Sequence, residues 1–390
     1  MQLKHFASAL LSACMLAAAV PAVPASAETA DFSYTVLEDG SVSVYCNDPE
    51  LTEVQVPATI DGYSVSALAD SCFSQNAVLT EITLPDGLKS IGDMAFYGCE
   101  SLAGITLPEG LDTIGSNAFT GCSSITEFHI PASVTEIGAY AFDTTENLTA
   151  FSAAADNAVY TVQDGVLFDK EMSTLIKYPE ARQETAYTVP DTCTSVMDWA
   201  FIGTQNLEQI DLNNVTAIGE DAFYYCIKLK SVTIPEGVID LIGGVFCYCV
   251  ELESVVLPST LKTIGENCFY SCTALKDITL PEGLEKIGAY AFFHCTSLDS
   301  LTVPKSVITV TSCCMGYCYD EAAEGTAVQE GFTLYVTKGS PAHTYASSNG
   351  IAWEKAANPY MLYYILIGAA AVIIIGLAAG IAVVLRKRKE

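Results

Sequence analysis

One feature limits the fold of this chain more than any other: a motif of 23 residues that recurs along most of its length. Around each copy the sequence reads L-x-x-I-x-L-P-x-G-L-x-x-I-G-x-x-A-F-x-x-C. Prolines mark the period at Pro85, Pro108 and Pro131, and again at Pro235, Pro258, Pro281 and Pro304. A unit this small cannot bury its own apolar side chains, so neighbouring copies must stack around a shared core. The repeat therefore predicts a solenoid.

Each position of the motif has a physical reading. Ile82 and Leu84 alternate with Thr83, which predicts a short strand with one buried face. Pro85 has no N–H for a further ladder bond, so it should end that strand. Phe96 supplies a large apolar plug at the end of the copy. The outer strand positions, such as that of Thr83, should face solvent.

This pattern resembles the BspA-type, or treponemal-type, leucine-rich repeat. The resemblance covers residues 36–353 and implies a repeat solenoid, a β-rich right-handed coil of 23-residue repeats with capped ends. Matching copies begin at Leu79, Leu102, Ile125, Leu207, Leu229, Leu252 and Leu275, and degenerate copies begin at Leu51 and Leu298.

The regular spacing sets the expected domain boundaries. We predict an N-terminal β cap at residues 28–50, the solenoid at 51–318, a C-terminal cap at 319–353 and a linker at 354–359. Between residues 148 and 190 the spacing opens, and two short β-hairpins are expected there as an irregular insertion.

Both ends of the chain indicate export and anchoring. Residues 1–27 have a charged start, an apolar middle and a small-residue exit, which predicts a signal peptide; a lipidated Cys14 is the alternative. Residues 360–385 are apolar and long enough to cross a bilayer as one transmembrane helix. The basic tail at 386–390 predicts a cytoplasmic C-terminus, a single-pass cell-membrane protein and an extracellular solenoid.

The chain is strongly acidic, with a formal net charge of −29. Five of its basic residues, Lys4 and the four in the tail, lie outside the solenoid, which is therefore more acidic still. Such a surface repels nucleic acid, so no nucleic-acid partner is expected. It is compatible with basic partners or loosely held divalent cations, or with a merely solvated exterior.

Fifteen cysteines in an exported chain would normally indicate disulfides. Here they follow the repeat, at Cys226, Cys249, Cys272, Cys295 and Cys318. This periodicity favours a buried free thiol in one core slot of each coil. Disulfides between stacked coils remain geometrically possible.

No motif for catalysis, cofactor binding or metal binding is present in the sequence. His129 lies at an outward strand position, and His294 lies at a repeat corner beside Cys295. Adjacent side chains on an extended coil point apart, so His294 and Cys295 do not form a catalytic pair. We therefore expect no enzyme activity, no cofactor and no metal.

Two surfaces are candidates for ligand binding. The strand face carries polar outward positions at Thr83, Thr106, His129, Asp211, Thr233, Thr279 and Thr302. An aromatic patch follows the Phe position at Tyr224, Tyr225, Tyr248, Tyr270, Phe293 and Tyr317. Exposed tyrosines provide contact area at a small entropy cost. The alternative is that these rings only cover neighbouring coils.

The resemblance implies a bacterial surface protein that binds extracellular protein or glycan ligands, in adhesion for example. Two alternatives stay open at this point: a structural scaffold of the envelope, and a docking subunit for a separate surface enzyme.

Overall fold

The computed structural model describes residues 31–320 and 325–356. The predicted signal peptide, the transmembrane helix at 360–385 and the basic tail lie outside these ranges, as does Cys14. Within them, no helix has the length and apolarity needed to cross a membrane.

Successive coils place their first strands side by side in parallel ladders, which form the strand face. Within a ladder, each buried residue pairs with its equivalent in the next coil, as Ile210 does with Val232 and Val232 with Val255. This is the β-solenoid that the repeat predicts. The strands of this face are Glu53–Gln55, Glu81–Thr83, Glu127–Ile130, Ala150–Ala153, Ala186–Thr188, Gln209–Asp211, Ser231–Thr233, Ser254–Val256, Asp277–Ile278, Ser300–Thr302, Thr333–Val336 and Ala352–Lys355.

A second set of parallel strands forms where the chain re-enters the core at the I-G step of the motif. These strands are Tyr63–Leu68, Ser90–Ile91, Thr113–Ile114, Glu136–Ile137, Ser195–Val196, Ala217–Ile218, Asp240–Leu241, Thr263–Ile264, Lys286–Ile287 and Thr309–Val310. Most contain two residues, because the next glycine turns the chain. At Gly115, for example, an added Cβ would lie only 2.5 Å from the backbone of Gly92 in the preceding coil.

The rest of each coil is a run of turns that carries the Phe and Cys positions. Backbone bonds still join the coils here: the N–H of Phe223 donates to the carbonyl of Val245 at 2.9 Å. The buried rings stack from coil to coil, with Phe223 and Phe246 5.2 Å apart between centroids. The thiol of Cys249 donates to the carbonyl of Phe223 at 3.2 Å. The cysteine thus fills a small slot and satisfies a buried carbonyl.

All fourteen cysteines of the described residues are free, and most are buried. The favoured interpretation from the sequence, a ladder of buried thiols, is confirmed for Cys226, Cys249, Cys272 and Cys295. Cys318, at the end of the predicted series, is only half-buried.

Both ends of the solenoid carry irregular structure. Phe32–Val36 and Val42–Cys46 form an antiparallel hairpin, followed by a short strand at Thr59–Ile60. At the other end, Tyr317–Asp320 pairs with Gly325–Val328, and a helix covers Pro341–Ser348. The final strand, Ala352–Lys355, pairs with Thr333–Val336. The expectation that the linker starts at residue 354 is therefore wrong, because the backbone of residues 354 and 355 belongs to this sheet.

The insertion consists of three antiparallel strands, at Tyr160–Gln163, Val166–Asp169 and Thr174–Lys177. Its middle strand divides the hydrophobic core. Leu167 packs into the core of the N-terminal half, while Val166 and Phe168 pack into that of the C-terminal half. This follows from the alternation of side chains along a strand.

A buried ionic cluster ties the insertion to the preceding coil. The ammonium of Lys177 lies 2.9 Å from Oδ1 of Asp143 and 3.7 Å from Oε1 of Glu180. Glu180 is buried, and its Oε1 has no hydrogen-bond partner in the part of the chain that the structure describes. Burial raises the pKa of Glu180 to about 7, although Lys177 acts in the opposite direction.

We expect the raised pKa of Glu180 to make stability depend on pH. The folded state favours the protonated acid, so this contribution is complete below the ordinary pKa of 4.5 and is lost as pH rises to about 7. At pH values above 7, Glu180→Gln should therefore raise the free energy of unfolding by roughly 2 kcal/mol. Urea denaturation over a pH series measures it. Glu171→Gln, at an exposed position that takes part in none of the ion pairs of the described residues, is the control, and lower stability of Glu180→Gln at every pH would contradict the expectation.

We also expect the thiols to differ sharply in reactivity. Burial raises the pKa of Cys72, Cys99 and Cys295 to about 12, so little thiolate forms at neutral pH. Iodoacetamide should modify the half-buried Cys46 and Cys318 in the folded protein and the buried cysteines only after unfolding. Mass spectrometry of the labelled peptides reads this out. Disulfide-linked peptides from neighbouring coils would contradict it.

Candidate functional site

The predicted strand-face residues are all exposed; five of them lie in first strands, whereas Thr106 and Thr279 lie at the equivalent positions without strand pairing. Thr83, Thr106 and His129 come together around an open cavity of about 660 Å³. Nδ1 of His129 lies 2.9 Å from Oγ of Ser152 in the next coil. Glu81 and Glu127, which precede Thr83 and His129 by two residues, line the rim of the same cavity.

The cavity coincides with a break in the strand ladder. Glu81–Thr83 pairs only with the coil before it, and Glu127–Ile130 pairs only with the coil after it. Between them, within the described structure, residues 104–107 form no backbone hydrogen bond to either neighbour. Gly104 stands where the neighbouring copies carry glutamate, so this coil lacks a side chain on the rim.

A smaller cavity lies in the C-terminal half of the strand face. Thr279 and Thr302 line a cavity of about 420 Å³. Thr233 pairs in register with Asp211 on one side and with the exposed Val256 on the other. Oδ1 of Asp211 accepts a bond from the N–H of Asn213, so this carboxylate supports its own turn.

A second surface is formed by aromatic side chains on the turn side of the coils. We call it the aromatic band and define it as Tyr140, Trp199, Tyr224, Tyr225, Tyr248, Tyr270, Tyr290 and Phe293. It begins where the ring of Tyr140 meets that of Trp199, 5.9 Å away between centroids. The insertion separates these two residues in the sequence, yet the fold brings their rings together.

From Trp199 the band runs across consecutive coils. Tyr224 lies 5.5 Å from Trp199, Tyr248 lies 5.7 Å from Tyr224, and Tyr270 lies 5.4 Å from Tyr248. Most of these rings are half-buried against one another, while Tyr225 beside them is 52% exposed. The band is therefore a continuous line of rings, some of which are accessible to solvent.

The structure places five of the six predicted patch residues in the band. Tyr317 is apart from it: its hydroxyl donates to Oδ1 of Asn349, under the C-terminal cap. Phe293 belongs to the band but is only 2% exposed, so it supports Tyr270 and Tyr290 without offering a surface itself.

Sequence reasoning missed Tyr140, Trp199 and Tyr290. These residues lie two positions after the I-G step, whereas the predicted tyrosines follow the Phe position. The two positions become neighbours only when the turns fold. The sequence did contain a signal for these residues: a large aromatic side chain stands where other coils have Asn117 and Asn267.

The backbone under the band adopts a conformation that disfavours large side chains. Trp199, Tyr225 and Tyr248 have φ near +60°, in the left-handed region. Some equivalent positions in other coils hold glycine, as at Gly98 and Gly121, and others hold smaller polar residues, as at Thr144 and Ser271. A side chain with a Cβ costs about 1–2 kcal/mol in this region. These coils would adopt the same turn more easily without the rings.

Three carboxylates flank one end of the band, at Asp198, Glu220 and Asp221. Burial, reinforced by the charges of Glu220 and Asp198, raises the pKa of Asp221 to about 6. The same carboxylates contribute to raising the pKa of the Tyr140 hydroxyl, for which burial is the larger cause. None of the ion pairs formed by described residues involves these three acids.

The three carboxylates do not make a metal centre. Within residues 31–320 and 325–356, no group of three or more His, Cys, Asp or Glu side chains is arranged to hold a metal ion. The negative potential at this end of the band is thus left without a cation from the described part of the chain.

Comparison with known proteins agrees with this architecture. A family model described as the BspA type leucine rich repeat region, in six copies, matches residues 41–173, 177–244 and 194–321. A search of curated proteins finds no match.

Solved structures show the same fold. A leucine-rich repeat protein from Eubacterium ventriosum is 22% identical, with a TM-score of 0.58 over 76% of this chain and 93% of its own. The pneumococcal vaccine antigen PcpA is 18% identical, with a TM-score of 0.59 over 85% of this chain and 98% of its own. At these identities the likeness concerns the fold alone.

The strained positions lead to a prediction about stability. Tyr225→Gly should change the free energy of unfolding by less than about 1 kcal/mol, because relief of the left-handed strain offsets the lost ring contacts and the entropy of glycine. Phe223→Ala, two residues earlier in the core, should cost about 3–5 kcal/mol. Urea denaturation compares the two. Equal losses would mean that Tyr225 is a core residue.

Proposed function

We propose, because the chain belongs to the BspA-type leucine-rich repeat family, that it is a cell-surface protein whose solenoid binds extracellular protein or glycan ligands, in adhesion for example. The signal peptide and the single transmembrane helix inferred from the sequence would display the solenoid outside the cell, with the basic tail inside. These segments support the proposal by their composition.

One observation carries the binding role: the aromatic band aligns partly exposed rings from successive coils in one continuous line. Tyrosine and tryptophan side chains at a surface are the residues that most often dominate binding energy in protein interfaces. The band therefore supports a binding surface better than it supports a scaffold, which would need only the stacked coils.

The strand face is the second surface that the geometry supports. Its cavity near Thr83 and His129 offers hydroxyl, imidazole and carboxylate groups to a polar ligand. It has no strained positions among its predicted residues and no continuous line of rings. We therefore assign the main contact to the aromatic band.

The test is an adhesion assay with cells that carry or lack the gene. Deletion should reduce attachment to surfaces coated with extracellular matrix proteins or glycans, and the intact gene should restore it. Complementation with the Tyr225→Gly, Tyr248→Gly double variant should fail, although the protein reaches the surface in equal amount.

A matched variant on the other surface provides the control. The Thr279→Ala, Thr302→Ala double variant alters two exposed strand-face residues and should restore attachment fully. Attachment that does not depend on the gene would refute the proposed function. Loss of attachment with the threonine variant and not with the tyrosine variant would move the site to the strand face.

A further inference from the structure

We propose that the aromatic band binds an extended, arginine-rich segment of a partner protein, with the carboxylates of Asp198, Glu220 and Asp221 receiving its positive charges. The inference rests on the proposed function, because it names the class of partner for the same surface.

The shape of the band favours an elongated ligand. Ring contacts continue from Trp199 through Tyr224 and Tyr248 to Tyr270, each from a successive coil and each within 5.4–5.7 Å of the last. The rings thus form one line across successive coils. A segment lying along it would contact one coil after another, whereas a small molecule would contact one or two.

The charge at the end of the band favours a cation. Asp198, Glu220 and Asp221 lie within one another's electrostatic reach, and described basic residues form their ion pairs elsewhere. The N–H of Glu220 donates to Oδ1 of Asp198 at 2.7 Å, which holds these two acids together across neighbouring coils. A neutral glycan would leave this charge unused, and an acidic one would be repelled.

The combination of rings and carboxylates favours arginine over lysine. A guanidinium group is planar, stacks on aromatic faces and donates two parallel hydrogen bonds to one carboxylate. Rings and acidic residues lie together at this end of the band: the N–H of Trp199 donates to the carbonyl of Glu220 at 3.1 Å, and the N–H of Tyr224 donates to the carbonyl of Asp221 at 2.9 Å. An ammonium group would use the charge but little of the ring surface.

Charge can be removed here with little disturbance to the fold. Asparagine already occupies the position of Asp221 in two other coils, at Asn117 and Asn267, with the same left-handed backbone. The Glu220→Gln, Asp221→Asn double variant therefore removes two charges while keeping the shape. The Glu81→Gln, Glu127→Gln double variant removes two charges from the strand-face cavity and is the matched control.

The experiment uses the purified full-length protein in detergent micelles and fluorescein-labelled decapeptides of arginine or lysine, with a neutral chito-oligosaccharide as a third probe. Fluorescence anisotropy should show binding of deca-arginine that is tighter than that of deca-lysine. The Glu220→Gln, Asp221→Asn variant should weaken deca-arginine binding about three- to tenfold. Tyr225→Gly should reduce the preference for arginine, and the strand-face control should change neither quantity.

Three results would overturn the inference. Equal weakening by the strand-face control would mean that the peptides sense only the net charge of the protein. Equal affinity for both peptides, unchanged by Tyr225→Gly, would mean that the aromatic rings do not contribute to binding. Binding of the oligosaccharide without deca-arginine would make the ligand a glycan. Each of these leaves the adhesion result intact, so failure of this inference is distinguishable from failure of the proposed function.

Discussion

Stacking of one coil on the next is the constraint on which the rest of this structure depends. A coil has its apolar side chains covered only by its neighbours, so the buried phenylalanine rings pack face to face along the axis, as Phe246 does with Phe269 at 5.6 Å. Backbone bonds between coils continue even through the turns. The close approach leaves no space for a Cβ at glycines such as Gly138. Side chains on the outer surface of the coils are not restricted in this way, and the aromatic band lies on that surface.

The stack explains how far the sequence predicts the structure. A periodic motif places the same residue type in the same slot of every coil, so Ile82, Phe96 and Cys99 are predictable from spacing alone. Contacts between residues at different positions of the motif, in coils that an insertion separates, do not follow this period. The meeting of Tyr140 and Trp199 depends on how the insertion folds back, and no local pattern contains that information.

Departures from the prediction have similar causes. Tyr317 has the spacing of a band residue but lies against the C-terminal cap, because the chain leaves the regular coil beside Gly316. Residues 354 and 355 look like linker by composition but extend the last sheet through backbone bonds, which any side chain permits. The break in the strand ladder at residues 104–107 lies in the coil where Gly104 replaces a rim side chain.

The insertion interrupts the core but leaves the surface continuous. The middle strand of the insertion separates two hydrophobic clusters, and the ion pair of Lys177 with Asp143 joins its two sides. Outside this junction, the rings of Tyr140 and Trp199 bridge the two halves. The same fold element therefore divides the interior and unites the proposed binding surface, so one ligand can contact coils from both halves.

The central claim, that ligands meet the aromatic band, is tested most directly by hydroxyl-radical footprinting of the protein on intact cells, free and attached to a coated surface. Oxidation of Trp199, Tyr225 and Tyr248 is the relevant readout, with His129 on the strand face as the internal reference. We predict that attachment protects the three band residues and leaves His129 unchanged. Protection of His129 with unaltered oxidation of the band would contradict it.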